Sequence, residues 1–281
     1  MVKLGKGFVD LNIPFQNENR KEVVRILARG FDLGYETQTI NVEIHQTELK
    51  TKSQQKKAEG IMDFPEPPKM DEFPGKNILT RLTITVSDNS FLPIYNNSKT
   101  AKKYDLLSII PESLNTLQCL IKSSFRPDII SFDPENINSI KWSRKLFNEI
   151  SPFCMVELLY APCIRDSGLR KKYISLAHHL KTLKKSKKPI VVSSGAIRAI
   201  ELRAPHDVMN LGFIFGLNEP QGREAIRENA HMTIRFGAGR RVGPFRAIVR
   251  KKKELTDEER AALALGGESD TESSSEDEDM S

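Results

Sequence analysis

The sequence has few cysteines and no long apolar run. Its three cysteines, Cys119, Cys154 and Cys163, stand in or beside apolar segments of the 281 residues, without CxxC or Cys/His ligand spacing. An odd number of cysteines without a secretory leader is typical of reduced thiols in the cytosol or nucleus. No run of about eighteen apolar residues, the length that spans a bilayer, occurs. The sequence therefore predicts no disulfide framework, no zinc site and no membrane association.

Motifs of common enzyme classes are also absent. The segment GFVDLNIPF lacks GxGxxG, VVSSGA is not GxSxG, and the five histidines form neither HxH nor HExxH. An enzymatic interpretation would pair Asp10 with Asp133 around a divalent metal, which needs further oxygen or imidazole ligands. We instead favour capping and ion pairing for the polar residues at predicted strand ends, which are Asp10, Asn12, Glu112, Asp133, Arg165, Asp166, Ser193 and Ser194.

Charge is distributed unevenly along the chain. The net charge is +6, but residues 254–281 contain eleven acids and one arginine, which leaves about +16 on the other 253 residues. A basic folded surface attracts polyanions, of which RNA and DNA are the usual ones. The acidic, serine-rich end of the chain is expected to be disordered. Ser273, Ser274 and Ser275 each precede an acid by three residues and are candidates for phosphorylation.

A strand–helix–strand unit over residues 153–195 organises the chain. The runs FCMVELLY and PIVVSSG are apolar almost throughout, as in parallel strands covered on both faces. Between them, apolar residues at spacings of three and four predict a helix whose buried face comprises Leu169, Tyr173, Leu176, Ala177, Leu180 and Leu183. The two strands must then be parallel, with the helix covering one face of the sheet.

The remaining sequence alternates between strand and helix patterns. Strands are predicted at 7–13, 35–44, 77–87, 104–110 and 128–133, and helices at 17–28 with Gly30 at its exit, 111–124 with Pro111 in its first turn, 138–150, 205–217 (buried) and 220–230. Residues 45–76 are predicted to be an exposed insertion loop, and the structure of 231–249 stays open. Such alternation favours a closed barrel or an open doubly wound sheet. We predict an α/β, TIM-barrel-like single domain over residues 1–253, with about seven mostly parallel strands, followed by a disordered tail over 254–281.

The basic residues outside the predicted core are candidates for RNA binding. Each could neutralise a phosphate, and together they would make binding fall with salt. The glycine-spaced GAGRRVGPFR stretch would let backbone approach a ligand closely. Aromatic residues are few, so we expect recognition of RNA shape and phosphates rather than of bases. A solvated helix end remains the alternative for the lysines. The candidates are Arg165, Lys184, Lys185, Lys187, Lys188, Arg198, Arg203, Arg235, Arg240 and Arg241.

Six segments together resemble a known family. VDLNIP, YDLLSIIPES, DIISFD, LLYAPCIRDSGLRKKYISLA, IVVSSGA and LRAPHDVMNLGFIFGL occur in this order between Phe8 and Leu217. They are similar to the thirty-kilodalton protein subunit of ribonuclease P and ribonuclease MRP. The resemblance implies a TIM-barrel-like fold related to the polymerase-and-histidinol-phosphatase (PHP) proteins. It also implies a non-catalytic, RNA-binding protein of the nucleus and nucleolus.

The resemblance further implies a set of partners. The ribonuclease P RNA, using Mg²⁺, removes the 5′ leader of precursor tRNA, and the related MRP RNA processes precursor rRNA. The chain would stabilise these RNAs, pair with a small RRM-like subunit, meet the other protein subunits, contact precursor tRNA only indirectly and bind no cofactor itself. PHP metalloenzymes carry HxH after the first strand, where this chain has Asp10-Leu11-Asn12. The resemblance thus implies a lost metal site, and a PHP-type metal-dependent phosphoesterase remains the alternative.

Overall fold

Seven strands form one sheet in the computed structural model, which describes residues 7–49, 64–123, 125–133, 142–150, 153–183 and 189–242. Their order in the sheet is their order in the chain, and every neighbouring pair is parallel. The predicted α/β, TIM-barrel-like fold is confirmed. The strands are β1 Phe8–Pro14, β2 Tyr35–His45, β3 Asn77–Val86, β4 Leu106–Pro111, β5 Ile129–Ile130, β6 Met155–Leu159 and β7 Ile190–Ser193.

Hydrogen bonds join the first strand to the residues that follow the last. The Gly195 N–H donates to the Asn12 carbonyl oxygen at 2.9 Å. The Ser194 N–H donates to Asp10 Oδ1, also at 2.9 Å. These bonds connect the two edges of the sheet, so the seven strands curl into a nearly closed barrel.

Helices cover the outer face of the sheet. Their apolar sides and the outward side chains of the strands share one large core, in which Leu27, Ile40 and Phe147 are fully buried. No helix of the described ranges has the length and apolarity needed to cross a bilayer. The helices are α1 Arg20–Asp32, α2 Leu92–Asn97, α3 Leu114–Lys122, α4 Arg144–Ile150, α5 Ala161–Arg165, α6 Ser167–Leu183, α7 Pro205–Leu211, α8 Glu219–Ile226 and α9 Glu228–Val242.

A second, smaller core fills the barrel at the amino ends of the strands. Six strands contribute one or two apolar side chains each, and α9 contributes Ala230 and Ile234. The last described helix therefore closes the bottom of the barrel, while the opposite end, where parallel-barrel proteins place their sites, remains free of this plug. The strand members of this core are Val9, Leu11, Leu79, Leu106, Ile129, Met155 and Val191.

Several predicted boundaries are wrong. Helix α1 continues through Gly30 to Asp32, because Gly30 lies against the Gln38 side chain and the chain instead turns at Gly34, with φ +100°. Pro111 is the last residue of β4, and α3 begins after Ser113, whose hydroxyl accepts the Thr116 N–H. Strand β5 has only two residues, and in the described residues 142–150 of the predicted helix 138–150 the helix begins at Arg144.

The insertion predicted to be exposed is partly buried in its described residues. Phe64 is 3% exposed and packs edge-to-face on Tyr95, with ring centroids 6.3 Å apart. The Tyr104 hydroxyl donates to the Pro65 carbonyl oxygen at 3.0 Å. Lysines and prolines around Phe64 make the whole insertion look polar in sequence. Phe64 nevertheless packs on the core, so this end of the insertion covers it.

Two further predictions near the carboxyl end are corrected. The segment 205–217 is not one buried helix, since α7 ends at Leu211 and Phe213 is 57% exposed. Residues 231–242, in the stretch left open, belong to the fifteen-residue helix α9, which begins at Glu228 within the predicted helix 220–230. The predicted tail, including Ser273, Ser274 and Ser275, lies outside the described residues.

Candidate functional site

A buried ion pair crosses the middle of the barrel. Arg81 on β3 and Glu157 on β6 have fully buried side chains, and Arg81 Nη1 lies 2.6 Å from Glu157 Oε1. A second bond joins Arg81 Nη2 to Glu157 Oε2 at 2.8 Å. Such a bidentate arrangement of guanidinium and carboxylate is among the strongest charged contacts in proteins.

Hydrogen bonds saturate the remaining donors of Arg81. Its Nε donates to Thr83 Oγ1 at 3.0 Å, and its Nη1 also donates to the Leu11 carbonyl oxygen at 3.0 Å. Its Nη2 also donates to Ser108 Oγ at 3.0 Å and Ser131 Oγ at 2.9 Å. All five N–H groups of the guanidinium therefore have partners within the barrel.

The carboxylate of Glu157 is equally well coordinated. The Asn12 amide donates to its Oε2 at 3.2 Å, and the Ser131 hydroxyl donates to the same oxygen. Burial alone would raise the pKa of Glu157, but the Arg81 guanidinium and these hydrogen bonds hold it below the usual value. The group is thus a stable carboxylate rather than an acid or base poised near neutral pH.

The residues at this level of the barrel do not fit a metal site of the PHP type. Asn12 stands at the predicted first-strand ligand position, and its side chain joins Glu157 to Asn41, whose amide donates to Asn12 Oδ1 at 2.9 Å. The cation beside Glu157 is the guanidinium of Arg81, which would repel a divalent metal. Within the described ranges, no group of three or more His, Cys, Asp or Glu side chains could hold a metal ion.

Asp10 and Asp133 do not form the metal-binding pair considered from the sequence. They belong to β1 and to the segment after β5, and within the described ranges neither is part of a cluster of three or more His, Cys, Asp or Glu side chains that could hold a metal ion. Asp10 Oδ1 accepts the N–H groups of Ser194 and Asn12, at 2.9 and 3.2 Å. Burial raises the pKa of Asp10 to about 6, although the hydrogen bonds oppose this.

Two predicted RNA-binding arginines converge on one acid. Arg165 Nη1 lies 2.8 Å from Glu201 Oε2, and Arg198 Nε lies 3.0 Å from Glu201 Oε1. Burial would raise the pKa of Glu201, yet the Ile197 N–H and the two arginines hold it below the usual value. The Arg198 side chain remains 64% exposed, against 26% for Arg165. Arg198 can therefore contact a phosphate more readily than Arg165.

Arg203 and Arg235 are two further candidates for RNA binding. Arg203 is half-buried, and its Nη1 donates to the carbonyl oxygens of Ile200 and Leu202 at 2.8 and 3.0 Å. Arg235 is exposed on α9. Contact of either residue with RNA stays a prediction.

Arg240 and Arg241 attach α9 to the barrel. Arg240 Nε lies 3.0 Å from Asp128 Oδ2, and its side chain is only 12% exposed. Its Nη1 donates to the Tyr95 hydroxyl at 3.1 Å, and Arg241 Nη1 lies 2.6 Å from Asp105 Oδ1. The structure gives Arg240 an internal role that leaves little of its charge to an external phosphate.

The glycine-rich stretch serves internal packing in its described part. A Cβ at Gly237 would collide with the Asp105 carbonyl oxygen and the Leu106 side chain. Close backbone approach at this glycine is therefore to the protein's own β4 and not to a ligand. The lysines at 184, 185, 187 and 188 lie outside the described residues.

Sequence reasoning missed the Arg81–Glu157 pair, although both residues leave a local signal. Each is the only charged residue of its strand, in NILTRLTITV and MVELL. A lone charge in an apolar parallel strand must find a partner when buried. Opposite signs on two such strands therefore indicate an internal ion pair.

The comparison with family models identifies one family, and two relatives in sequence carry its name. The model of the family described as RNase P subunit p30 matches residues 7–242. Ribonuclease P protein subunit p30 of Mus musculus is 33% identical over 168 residues, which cover 58% of this chain and 61% of the mouse protein. Ribonuclease P protein subunit drpp30 of Dictyostelium discoideum is 28% identical over 151 residues, covering 54% of this chain and 40% of that protein. The matched part thus spans less than two thirds of either relative.

A solved structure shares the fold. In the cryo-EM structure of archaeal ribonuclease P with mature tRNA, one chain superposes with a TM-score of 0.56 at 16% identity, covering 88% of this chain and 100% of that chain. At this identity the likeness concerns the fold alone. The family model, in contrast, covers nearly all of the barrel, and its match establishes that the chain belongs to the RNase P subunit p30 family.

Proposed function

We propose that the chain is a non-catalytic protein subunit of ribonuclease P, the particle that removes the 5′ leader of precursor tRNA. Family membership supports this role, and the mouse and Dictyostelium relatives are named as ribonuclease P protein subunits. The observation that carries the proposal is the Arg81–Glu157 pair. It fills the middle of the barrel with the protein's own cation, where a hydrolase would need a metal or a free carboxylate.

Cationic side chains would bind the phosphates of the catalytic RNA. Arg198 and Arg235 are exposed, and the lysine-rich segment KKSKK at 184–188 adds four charges. Neutralising phosphates lowers the repulsion between RNA segments that fold against each other. The chain thereby stabilises the active RNA fold, while the RNA uses Mg²⁺ for the cleavage itself.

The proposal extends to partners and place. The resemblance supports binding to MRP RNA as well, pairing with a small RRM-like subunit, contact with the other protein subunits and work in the nucleus and nucleolus. Precursor tRNA is contacted only indirectly, through the assembled particle. No metal or cofactor is assigned to this chain.

Reconstitution tests the proposal. The full chain, the catalytic RNA and the other subunits are assembled, and cleavage of precursor tRNA is followed as Mg²⁺ is lowered. The double variant Arg198→Glu/Arg235→Glu is expected to need more Mg²⁺ than the unaltered chain. Arg144→Glu is the matched control, since Arg144 is exposed on α4. Equal cleavage at low Mg²⁺ without this chain would refute the proposed role.

A second assay addresses the phosphoesterase alternative. The purified chain alone is incubated with Mn²⁺ and a phosphoester, and we expect no hydrolysis. Hydrolysis that disappears in both Asp10→Asn and Asp133→Asn would instead assign the chain its own chemistry and overturn a purely supporting role.

A further inference from the structure

An apolar cavity opens between α5, α6 and the segment that follows α7. Its volume is ≈ 290 Å³, and most of its wall is carbon. Cys163 and Ile174 line one side, and Leu211, Ile214 and Phe215 line the other. A space of this size accepts one large apolar side chain.

One residue that lines the cavity and its neighbour in the chain are exposed and apolar. Ile214, which lines the cavity, is 49% exposed, and its neighbour Phe213 is 57% exposed. A folded protein gains by removing such adjoining large side chains from water, and contiguous apolar patches mark interaction surfaces. Aromatic residues are enriched at the centres of protein interfaces.

The segment that presents these side chains is held in one conformation. The Leu217 N–H donates to the Gly212 carbonyl oxygen at 2.9 Å, and the Gly216 N–H donates to the Phe213 carbonyl oxygen at 2.9 Å. Gly216 has φ +73°, and His178 Nε2 lies 3.2 Å from the Ile214 carbonyl oxygen. A surface fixed in this way loses little conformational entropy on binding.

Charge of one sign borders the cavity. Helix α6 contains Arg170, Lys171, Lys172 and Lys181 and no acid in its seventeen residues. Arg170 lines the cavity, and Lys171 beside it is exposed. The neighbouring acid Asp166, which accepts the Leu169 N–H at 2.7 Å, is one anion against these four cations. Complementarity therefore calls for negative charge on the bound molecule.

We infer that this surface docks a protein segment that carries one large apolar side chain flanked by acidic residues. The apolar side chain would fill the cavity, and the acids would lie along the cationic face of α6. Protein fits better than RNA, because sequence-specific RNA sites stack bases on exposed aromatic faces and bond their edges, whereas this wall is mostly apolar and its two aromatic members, Tyr160 and Phe215, are buried. The inference goes beyond the proposed function, since it holds whether or not the chain contacts RNA.

Selection from a random peptide library displayed on phage tests the inference with the full chain as target. We expect the selected peptides to share a Leu, Phe or Trp with Asp or Glu on either side. Ile214→Asp and Lys171→Glu should each lower their affinity, about tenfold or more for the apolar change. Two matched controls should leave affinity unchanged: Ile200→Asp, at a 77% exposed isoleucine that does not line the cavity, and Lys21→Glu on α1.

Thermal melting identifies a variant that fails to fold. In that event Phe213→Asp, at a more exposed position, replaces Ile214→Asp. Selected peptides that keep their affinity for both apolar variants overturn the inference. So do peptides without acids beside the apolar residue, and a selection that yields no binder. A single-stranded oligonucleotide that loses affinity in Ile214→Asp, while acidic peptides do not bind, would assign the surface to RNA instead.

Discussion

Arg81 and Glu157 contact each other through the centre of the barrel although their strands are three positions apart in the sheet. In a flat sheet, three strand spacings would separate the backbones of the two strands by about 14 Å. The observed 2.6 Å therefore depends on the curvature of the sheet. The pair also favours that curvature, because flattening the sheet would separate the two opposite charges.

Removing one member of the pair should severely destabilise the fold. Arg81→Met leaves the Glu157 carboxylate buried without its counter-charge, and we expect a loss of about 3–5 kcal/mol. Urea unfolding followed by circular dichroism measures this free energy.

The exposed pair of Lys103 and Glu66 provides the matched control. Its atoms lie 2.7 Å apart, but the side chains are 54% and 65% exposed. Lys103→Met should cost no more than about 1 kcal/mol. Similar losses of unfolding free energy in both variants would mean that the buried pair stabilises the fold no more than an exposed one.

Stability should fall as pH rises from about 4 to about 6 through the titration of Asp10. Its pKa in the folded protein is about 6 against an ordinary 3.8, so the folded state binds the proton more tightly. The stabilisation that protonated Asp10 gives the folded state is present below pH 4 and lost above pH 6. Its contribution to the free energy of unfolding is at most on the order of 3 kcal/mol. Urea unfolding across this range gives the slope.

Asp10→Asn should reduce this slope, since an amide does not titrate but retains the oxygen that accepts the Ser194 N–H. Part of the slope should persist, because burial also raises the pKa of Glu43. An Asp10→Asn protein with the full original slope would contradict the prediction.

Gly237→Ala should destabilise the protein, although alanine favours helices. The new Cβ would meet the Asp105 carbonyl oxygen, which belongs to backbone and cannot swing aside. We expect a loss of about 1–3 kcal/mol, as for other overpacked positions. The control is Gly168→Ala in α6, where the Cβ would meet only an oxygen of the Asp166 side chain. Thermal unfolding should then give opposite signs for the two variants, since Gly168→Ala gains helix propensity.

Exposed and internal arginines should differ in their effect on RNA binding. Arg235→Gln should weaken binding to the catalytic RNA and lower the slope of affinity against salt by about one. Arg240→Gln should chiefly lower the unfolding temperature, because it breaks the buried contact with Asp128. Filter binding at several salt concentrations, with melting curves, separates the two effects. An unchanged salt slope in Arg235→Gln would remove Arg235 from the RNA surface.

The parallel character of the strands could be predicted from sequence because parallel strands covered on both faces are apolar throughout. The helix α6 was equally clear, with Tyr173, Leu176 and Leu180 buried at the predicted spacing. Helix α9 could not be predicted from sequence, because its buried positions include Gly237 and Gly239, and glycines do not form an apolar pattern. Their role becomes visible only when β4 lies beside them.

The remaining misses share a physical cause. Phe64 is buried by Tyr95, which is distant in sequence, and Phe213 is exposed because no other element packs over it among the described residues. Neither outcome follows from the residues next to it in the chain. The candidate arginines were predicted by charge alone. The structure adds that Arg240 is bound by Asp128 while Arg198 projects into solvent. Charge counts cannot make this distinction.

The seam between the first and last strands has a consequence for synthesis on the ribosome. The Asn12 carbonyl oxygen is bonded by Ser194, which lies 182 residues later in the chain. Synthesis of those residues at about 5–20 residues per second takes roughly 9–36 s. During this interval the outer edge of β1 offers unpaired backbone groups that another chain can capture. Fragments that stop before residue 194 keep this edge permanently, and we expect them to aggregate where the complete barrel stays in solution.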